Sequence, residues 1–333
     1  MKYDRALLIS IDSLSRKYQY LFEDYFTIKY IKYQSTNTWT LPSHVAMLSG
    51  VMLPRLYYVM NQKDVKQFEN FIQYLPTIAT LLKRGGFKSR AITGGGFMSK
   101  YFGWGYDWES WQEAENTKSE WNGEKILPKK NEFLFLHTYY VHNWFNEKKK
   151  LREQLFKAKD NLEKGNKYDV RMLITEGKKA YIKRVKTIAK RLSWIKSISP
   201  RTLVILTSDH GELFSGPDSF HHGNFALTDS SIFEVPLLIR ENTTNKTIEK
   251  NICYDFLLPQ LICEKLDIPF ESIPKMLIRR NRYIINQENL KEKMKMIFDS
   301  SIFNISNTVS QAAFYMLNIR GLKTTIRKIF FKI

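Results

Sequence analysis

The chain has 333 residues, of which 43% are apolar and 14% aromatic, and its formal net charge is +19. A chain of this size and composition can bury a sizeable core, which excludes an intrinsically disordered protein. It has room for one large α/β domain with a small appendage, or for two ordinary domains.

Three features predict a protein of a reducing compartment. Cys253 and Cys263 lie ten positions apart without metal-ligand spacing, which is typical of reduced core cysteines. The apolar run at residues 6–11 is too short for a signal peptide. No segment reaches about 18 uninterrupted apolar residues, so no membrane span is predicted. We therefore expect a cytoplasmic protein, either free or peripheral to the inner face of the membrane.

The positive charge is concentrated in one segment. Residues 144–197 hold 17 lysines and arginines against six acidic residues, a surplus of 11 within the total of +19. Such a surface can bind phosphorylated glycans or anionic lipid, although a solvated helical face would have the same composition. No helix-turn-helix, zinc finger or aromatic RNA-binding motif accompanies the charge, so no specific nucleic-acid partner is predicted.

Taken in chain order, the apolar periodicity predicts strands that alternate with helices. This alternation favours an α/β fold with a mostly parallel sheet and helices on both of its faces. Pro42 lies in the first turn of one helix, and Gly85 and Gly86 end another. The predicted strands cover 5–11, 89–93, 132–136, 202–207 and 235–239; a turn and helix cover 35–50, and helical segments cover 75–84 and 147–197, the last broken at 165–167.

Residues able to bind a cation follow three of these strands. Asp12 follows the first strand, residues 137–142 follow the third, and Asp209 and His210 follow the fourth. All six histidines of the chain fall within four short segments of this kind. Ligands of open α/β sheets bind beyond the carboxyl ends of the strands, so these positions should share one edge. A carboxylate and an imidazole side by side can both turn toward one cation, with Gly211 letting the chain bend away.

Thr40 is the candidate nucleophile. It lies just ahead of a predicted helix N-terminus, where free N–H groups and the positive dipole favour a bound anion or a developing alkoxide. A hydroxyl beside a divalent cation can ionise near neutral pH and attack phosphorus or sulfur. His142 and His222 could contact the ester oxygens or protonate the leaving group. Each residue alone would more often be structural, as Asp12 would be as a helix cap, but the ordered combination favours a catalytic site.

Six short motifs resemble the sulfatase branch of the alkaline phosphatase superfamily. Their order and spacing extend over roughly residues 4–270, and the combination is far more specific than any single motif. They are residues 9–13 (ISIDS), 40–50 (TLPSHVAMLSG), 134–142 (LFLHTYYVH), 207–212 (TSDHGE), 222–223 (HG) and 234–239 (EVPLLI).

This resemblance implies an alkaline-phosphatase-like three-layer sandwich and a set of site residues. Asp12, Asp209 and His210 would bind the metal, and Thr40 would be both a ligand and the nucleophile. The implied cofactor is one divalent cation, with Mn, Zn, Mg and Ca left open. His44 would support the nucleophile or the transferred group.

The resemblance implies two alternative roles for two further histidines. His142 and His222 align with histidines that contact substrate, or with ligands of a second metal in two-metal members. Those members place an Asp four residues before the first of these histidines, where this chain has Thr138. Without that carboxylate the site has too little negative charge for a second dication, so we expect one cation. His137 and His221 could compensate for the missing ligand.

The nucleophile position departs from the sulfatases proper, which place a Cys or Ser there for conversion to formylglycine. Thr40 cannot become that aldehyde, so the chain is closer to phosphotransferase and phosphodiesterase members, including those that move phosphoethanolamine or phosphoglycerol. We expect a hydrolase or transferase acting on anionic phosphate or sulfate esters of a glycan or lipid. The alternatives are a true sulfuric ester hydrolase that uses Thr40 directly, and a non-catalytic membrane-surface protein that retains the fold.

The chain is expected to divide after residue 271. Residues 1–271 would form the catalytic domain, including the basic helical segment at 144–197, and residues 272–333 a C-terminal extension. Within 314–333, apolar residues recur at helical spacing with basic residues between them and no acidic residue. This predicts a basic amphipathic helix, which could bind an anionic membrane surface or dock its apolar stripe on the domain.

Overall fold

The computed structural model describes most of the first 271 residues, which form one compact unit, Met1–Glu271. The predicted extension and its amphipathic helix lie outside the described residues, and the predicted domain boundary stays a prediction. No helix in the described part is long and apolar enough to span a membrane. The described residues are 2–51, 69, 72–113, 126–163, 168–216, 219–222, 229–241, 246–248 and 253–271.

The described residues contain twelve strands, eight of which form one sheet in the order β11-β2-β10-β7-β1-β6-β4-β5. Two-residue β3 pairs with β12, and β8 pairs with β9. The strands are β1 (Arg5–Ile11), β2 (Ile28–Tyr30), β3 (Tyr33–Gln34), β4 (Lys88–Thr93), β5 (Ser110–Glu113), β6 (Glu132–Thr138), β7 (Thr202–Thr207), β8 (Leu213–Gly216), β9 (Ser219–His221), β10 (Leu237–Arg240), β11 (Lys246–Ile248) and β12 (Cys253–Tyr254).

The sheet is mostly parallel, as predicted. β1 pairs in parallel with β6 and β7, and β4 pairs in parallel with β5 and β6. β10 is the exception, because it runs antiparallel to both β7 and β2. Every residue of β6 and β7 is buried, which is expected of central strands covered on both faces.

The described residues also contain five α-helices and several short 3₁₀ turns. Leu7, Ile9 and Ile11, on one face of β1, belong to a hydrophobic core cluster that also contains side chains of the basic segment at 144–197. The helix α2 packs against β4. α1 packs on α5 and on the turn that precedes it. The helices are α1 (Thr40–Ser49), α2 (Ile78–Arg84), α3 (Lys149–Glu163), α4 (Lys178–Arg191) and α5 (Leu258–Lys265).

The basic segment divides into more pieces than its periodicity predicts. A 3₁₀ turn (His142–Glu147) precedes α3, a π-helical turn (Leu173–Gly177) precedes α4, and a second 3₁₀ turn (Leu192–Ser197) follows it. A Cβ on Gly177 would lie 2.6 Å from the ring of Trp144, so this glycine permits the close approach of the π turn to the core. The predicted break at 165–167 lies outside the described residues.

The helix expected from residue 75 begins only at Ile78. Pro76 disfavours helical backbone in the residue before it. The side chain of Thr77 then caps the helix by accepting a hydrogen bond from the amide of Ala79 at 3.2 Å.

Candidate metal centre and active site

Three strand ends meet at one edge of the central sheet. β1 lies between β6 and β7 with Ser10 opposite both His137 and Thr207. The chain leaves β1 at Asp12, whose amide donates to the carbonyl of Thr138 at 3.1 Å. The loop that follows β7 carries the other predicted carboxylate and imidazole. The parallel register therefore brings the predicted ligands to the carboxyl ends of three adjacent strands.

Asp12, Asp209 and His210 form a fully buried group of possible metal ligands, with one ligand atom of each lying within 4.8 Å of the others. Nε2 of His210 lies 3.5 Å from Asp209 Oδ2 and 3.8 Å from Asp12 Oδ1. The Thr40 hydroxyl donates to Asp12 Oδ2 at 2.9 Å. The four residues that the sequence predicted as ligands are thus neighbours in the structure.

The chemistry of this group fits a divalent cation. Asp209 Oδ2 and His210 Nε2 are buried and have no hydrogen-bond partner among the described residues. Burial and the charge of Asp12 raise the pKa of Asp209 well above its usual value. Burial alone would raise the pKa of Asp12 too, but the nearby histidines, His142 first, lower it overall. Two buried carboxylates beside orphaned ligand atoms are the arrangement that a cation would stabilise.

The loop after β1 is tied directly to the loop after β7. The amide of Ser13 donates to Asp209 Oδ1 at 3.1 Å, and the amide of Leu14 donates to Ser208 Oγ at 2.8 Å. Ser13 has a φ of 65°, which is uncommon for a residue other than glycine and is often seen at functional sites. Gly211 is not in the left-handed region; it is needed for close approach, because a Cβ there would lie 3.1 Å from the carbonyl of Ile232.

Thr40 is the first residue of α1 and is 3% exposed. Its hydroxyl lies at the helix end where the dipole is positive. The loop that leads into α1 is anchored by the buried carboxylate of Asp255, which accepts from Ser35 Oγ at 3.2 Å and from the amide of Thr36 at 3.0 Å. Burial raises the pKa of Asp255 to about 7. The anchored loop before Thr40 and the helix that begins at Thr40 therefore both fix the position of this residue.

His44 lies beneath the nucleophile rather than beside its hydroxyl. Its Nδ1 is 2.8 Å from the carbonyl oxygen of Thr40 and its Nε2 is 3.0 Å from Ser10 Oγ. The ring is fully buried, and burial lowers its pKa to about 3, so it is neutral at physiological pH. The contacts assign Nδ1–H as donor to the carbonyl and Nε2 as acceptor from Ser10. His44 thus braces the first turn of α1 against β1.

His142 and His222 lie on the outer side of the buried group, and their side chains are 21% and 12% exposed. Their ring centroids are 4.9 Å apart. His142 Nδ1 lies 3.4 Å from Asp12 Oδ1, and the ring of His222 lies 4.6 Å from that of His210. These two histidines therefore stand between the buried ligands and solvent, where an ester could reach them.

Glu212 is a site residue to which the sequence reasoning assigned no role. It is fully buried, and its Oε1 lies 2.7 Å from Nδ1 of His221 while its Oε2 lies 3.2 Å from Nδ1 of His222. Burial raises the pKa of Glu212 well above its usual value. The sequence signal for a role in the site was the position of Glu212 two residues after His210, because a glutamate buried beside a metal-binding motif needs a specific partner.

His137, which the sequence analysis considered only as a substitute second-metal ligand, lies on β6, and Tyr139, to which it assigned no role, follows this strand. His137 Nε2 lies 3.5 Å from Asp12 Oδ2, and the amide of Gly94 donates to its Nδ1 at 3.4 Å. Tyr139 Oη accepts from the amide of Phe97 at 3.0 Å, and its ring meets that of His137 edge to face. These contacts pack the glycine-rich loop after β4 against the site.

The basic segment adjoins the same edge through α3 and α4. Arg184 donates to the carbonyl of Tyr140 at 2.8 Å, and the guanidinium groups of Arg184 and Arg191 lie 4.8 and 4.5 Å from the Tyr140 ring centroid. Burial lowers the pKa of His142 and of His222, and the positive charge of Lys159 on α3 lowers both further. The basic segment therefore borders the solvent side of the site.

Known structures share this fold. A lipoteichoic acid synthase, LtaP, from Listeria monocytogenes aligns with a TM-score of 0.56 at 10% identity, covering 81% of this chain and 73% of that one. A protein of the alkaline phosphatase superfamily from Vibrio parahaemolyticus aligns with a TM-score of 0.54 at 15% identity, covering 80% and 67%. The phosphonate monoester hydrolase of Agrobacterium radiobacter aligns with a TM-score of 0.51 at 13% identity, covering 80% and 74%.

These likenesses confirm the predicted alkaline-phosphatase-like fold and, at such low identity, nothing more. No curated protein sequence matches the chain. The model of the Sulfatase family, in contrast, matches residues 6–262, which is well over half of the chain and includes every predicted site residue. The chain therefore belongs to the sulfatase family.

Proposed function

We propose that this protein is a metal-dependent hydrolase or transferase of phosphate or sulfate esters, with Thr40 as its nucleophile. The observation that carries the proposal is the 2.9 Å hydrogen bond from the Thr40 hydroxyl to Asp12, within a buried group that also contains Asp209 and His210. A hydroxyl held beside a cation-binding carboxylate is placed to ionise next to the cation and to attack phosphorus or sulfur. We retain these four residues as the ligands of one divalent cation.

Each residue of the site has its own role in the proposed reaction. Asp12, Asp209 and His210 would hold the divalent cation, which would supply positive charge to lower the pKa of the Thr40 hydroxyl and to balance charge on the ester oxygens. Thr40 Oγ1 attacks phosphorus or sulfur, and the bond to the leaving oxygen breaks as the bond to Oγ1 forms. His44 holds the carbonyl of Thr40, so that the hydroxyl keeps its place at the start of α1.

His142 and His222 are the candidates to contact the ester and to give a proton to the leaving oxygen. Burial lowers the pKa of His142 to about 4, so it is neutral when no anion lies beside it. A bound anionic ester raises the pKa of a neighbouring imidazole, which favours the protonated form that an acid catalyst requires. The adduct on Thr40 is then released to water or to an acceptor hydroxyl.

The substrate class proposed is an anionic ester of a glycan or lipid. Exposed basic residues of α4 lie along one face of that helix, and Arg184 joins α4 to the loop that carries His142. A basic border of this kind attracts anionic substrate and accelerates its encounter with the site. One similar structure is a lipoteichoic acid synthase and another a phosphonate monoester hydrolase, and both names agree with phosphoester chemistry. A threonine nucleophile favours phosphate over sulfate.

The test is a parallel assay of the full chain with an aryl sulfate, a phosphate monoester and a phosphodiester, each with Mn, Zn, Mg and Ca. We expect metal-dependent turnover of a phosphoester. Thr40→Ala should reduce kcat by at least about 10³-fold, because the covalent step is lost. Thr40→Ser is the matched control, since it keeps a hydroxyl and should retain part of the activity.

Intact mass spectrometry of the trapped wild-type enzyme should show the transferred group on Thr40. Preferred turnover of the aryl sulfate, lost in Thr40→Ala, would support the true sulfuric ester hydrolase instead. Tight binding to anionic vesicles with no turnover of any ester would support the non-catalytic membrane-surface protein. Full activity in Thr40→Ala would refute the proposed nucleophile.

A further inference from the structure

The loop that follows Asp12 is held by a tyrosine of the basic segment. Tyr181 lies on α4 and is fully buried. Its hydroxyl donates to the carbonyl of Ser13 at 2.9 Å and accepts from the amide of Ser15 at 3.0 Å. These roles are unambiguous, because a carbonyl can only accept and an amide N–H can only donate. One side chain therefore bridges the backbone on either side of Leu14.

The position of the Tyr181 hydroxyl is fixed by the packing of its ring. The ring centroids of Tyr18 and Phe214 each lie 5.4 Å from that of Tyr181. The helix α4 also packs against the 3₁₀ turn at Arg16–Leu21, which follows the bridged loop. Burial raises the pKa of the Tyr181 hydroxyl well above its usual value, so the group stays protonated and can donate.

Ser13 is the residue that this hydroxyl constrains. Its φ of 65° lies in the left-handed region, which costs free energy in a residue other than glycine. In this conformation the amide of Ser13 faces Asp209, and its carbonyl faces Tyr181. The two peptide planes that flank Ser13 meet at this φ. A relaxed Ser13 could therefore not keep both contacts.

Ser13 in turn contacts both carboxylates of the buried ligand group. Its amide donates to Asp209 Oδ1 at 3.1 Å, and its hydroxyl donates to Asp12 Oδ1 at 2.9 Å. Asp209 Oδ2 is left without a hydrogen-bond partner among the described residues, which suits an atom that binds a cation. Hydrogen bonds to one side of a ligating carboxylate orient it in this way.

We propose that Tyr181 is a positioning residue for the metal site, because its hydroxyl holds Ser13 in the left-handed conformation and so sets Asp12 and Asp209 for ligation. The basic segment then contributes a buried anchor to the site as well as exposed positive charge. The effect on ligation rests on the proposed function, whereas the link between Tyr181 and Ser13 needs no cation.

The first test is calorimetric titration of the metal-free full chain with Mn²⁺ and, separately, with Zn²⁺. Tyr181→Phe keeps the ring that packs on Phe214 and removes only the hydroxyl. The Kd of the cation should rise at least about 10-fold, as is usual when a group that orients a metal ligand is lost. Tyr18→Phe removes a hydroxyl from the neighbouring ring and is the matched control, for which we expect an unchanged Kd.

Excess cation distinguishes positioning from general damage to the fold. At cation concentrations well above the raised Kd, Tyr181→Phe should recover most of the wild-type kcat, because the ligands can still close on the cation. A kcat that stays low at saturating cation would overturn the proposal, since the hydroxyl would then act on something other than ligation.

The second test needs no metal. Ser13→Gly removes the conformational penalty at residue 13, because glycine adopts a positive φ about as readily as a negative one. Tyr181→Phe should therefore lower the urea midpoint of the metal-free chain less in the Ser13→Gly background than in the wild type. Such a difference is the signature of two coupled residues. Equal lowering in both backgrounds would show that the hydroxyl does not constrain Ser13.

The two tests separate this inference from the proposed function. If the wild type binds neither ion and turns over no ester, the proposed function fails, and the urea comparison alone decides the link between Tyr181 and Ser13. If the wild type and Tyr181→Phe bind the cation with the same Kd, the positioning role of Tyr181 is refuted and the proposed function stands.

Discussion

The hydroxyl of Thr40 donates a 2.9 Å hydrogen bond to Oδ2 of Asp12, although 28 positions of sequence separate the two residues. Thr40 begins α1, and Asp12 immediately follows β1. The contact joins a helix N-terminus to the carboxyl end of a central strand, where charge on an oxygen is stabilised by dipole and cation together.

Removal of metal should destabilise the protein as well as inactivate it. A chelator should abolish turnover and lower Tm, because the buried carboxylates of Asp12 and Asp209 lose the cation that balances them. A cation present at 100 times its Kd stabilises the folded state by about 2.7 kcal/mol. Differential scanning calorimetry with and without chelator measures this change. Asp209→Asn should show a smaller chelator effect, and an equal effect would place the metal elsewhere.

His44→Ala should lower both stability and kcat. The substitution leaves Ser10 Oγ and the carbonyl of Thr40 without their buried partner and opens a cavity, so the free energy of unfolding should fall by about 3 kcal/mol. Urea denaturation gives this value. Because the pKa of His44 is about 3, the variant should keep the pH dependence of kcat/KM between about pH 5 and 8. A lost acidic limb would show instead that His44 exchanges a proton during turnover.

Asp255 should make the protein less stable as pH rises. Its pKa is about 7 in the folded chain because the carboxyl is buried, against about 3.9 when unfolded. The folded state therefore holds the proton more tightly, and its contribution is present below pH 4 and is lost as pH rises through 7. The upper bound on this loss is about 4 kcal/mol.

Asp255→Asn keeps an acceptor for Ser35 and Thr36 but carries no charge. Its urea midpoint should change less between pH 5 and pH 8 than that of the wild type. The exposed Asp24→Asn is the control and should retain the wild-type dependence. A wild-type midpoint that does not fall over this pH range would contradict the argument.

The basic face of α4 should contribute to substrate capture through its charge. Lys186 and Lys190 are exposed on one face of this helix, and their joint change to Gln should raise KM for an anionic ester severalfold at low salt while leaving kcat unchanged. The difference should vanish near about 1 M salt, where charges are screened beyond about 3 Å. Changing Lys88 and Lys130, exposed at the opposite end of β4 and β6, is the control. An equal rise in that control would exclude guidance by α4.

Much of the fold could be predicted from apolar patterning. The strands at 5–11 and 202–207 were predicted to the residue, because their buried runs are bounded by polar residues that cannot continue them. β2, β11 and the β8–β9 hairpin were not predicted, since strands of three or four residues carry too little periodicity. The antiparallel direction of β10 was equally invisible, because an apolar run has no direction.

The sequence by itself determined the kind of site: the residue types at Asp12, Thr40, Asp209 and His210, their order, and their place after strands or before a helix. Only the tertiary structure decided which other side chains contact these four residues and what those side chains do. It put His44 under the carbonyl of Thr40. It also brought Glu212 to His222, a contact that no spacing along the chain predicts. Spacing along the chain specifies which side chains follow the end of a strand. The loops that pack above that end set the distances between these side chains, and metal ligation and proton transfer depend on those distances.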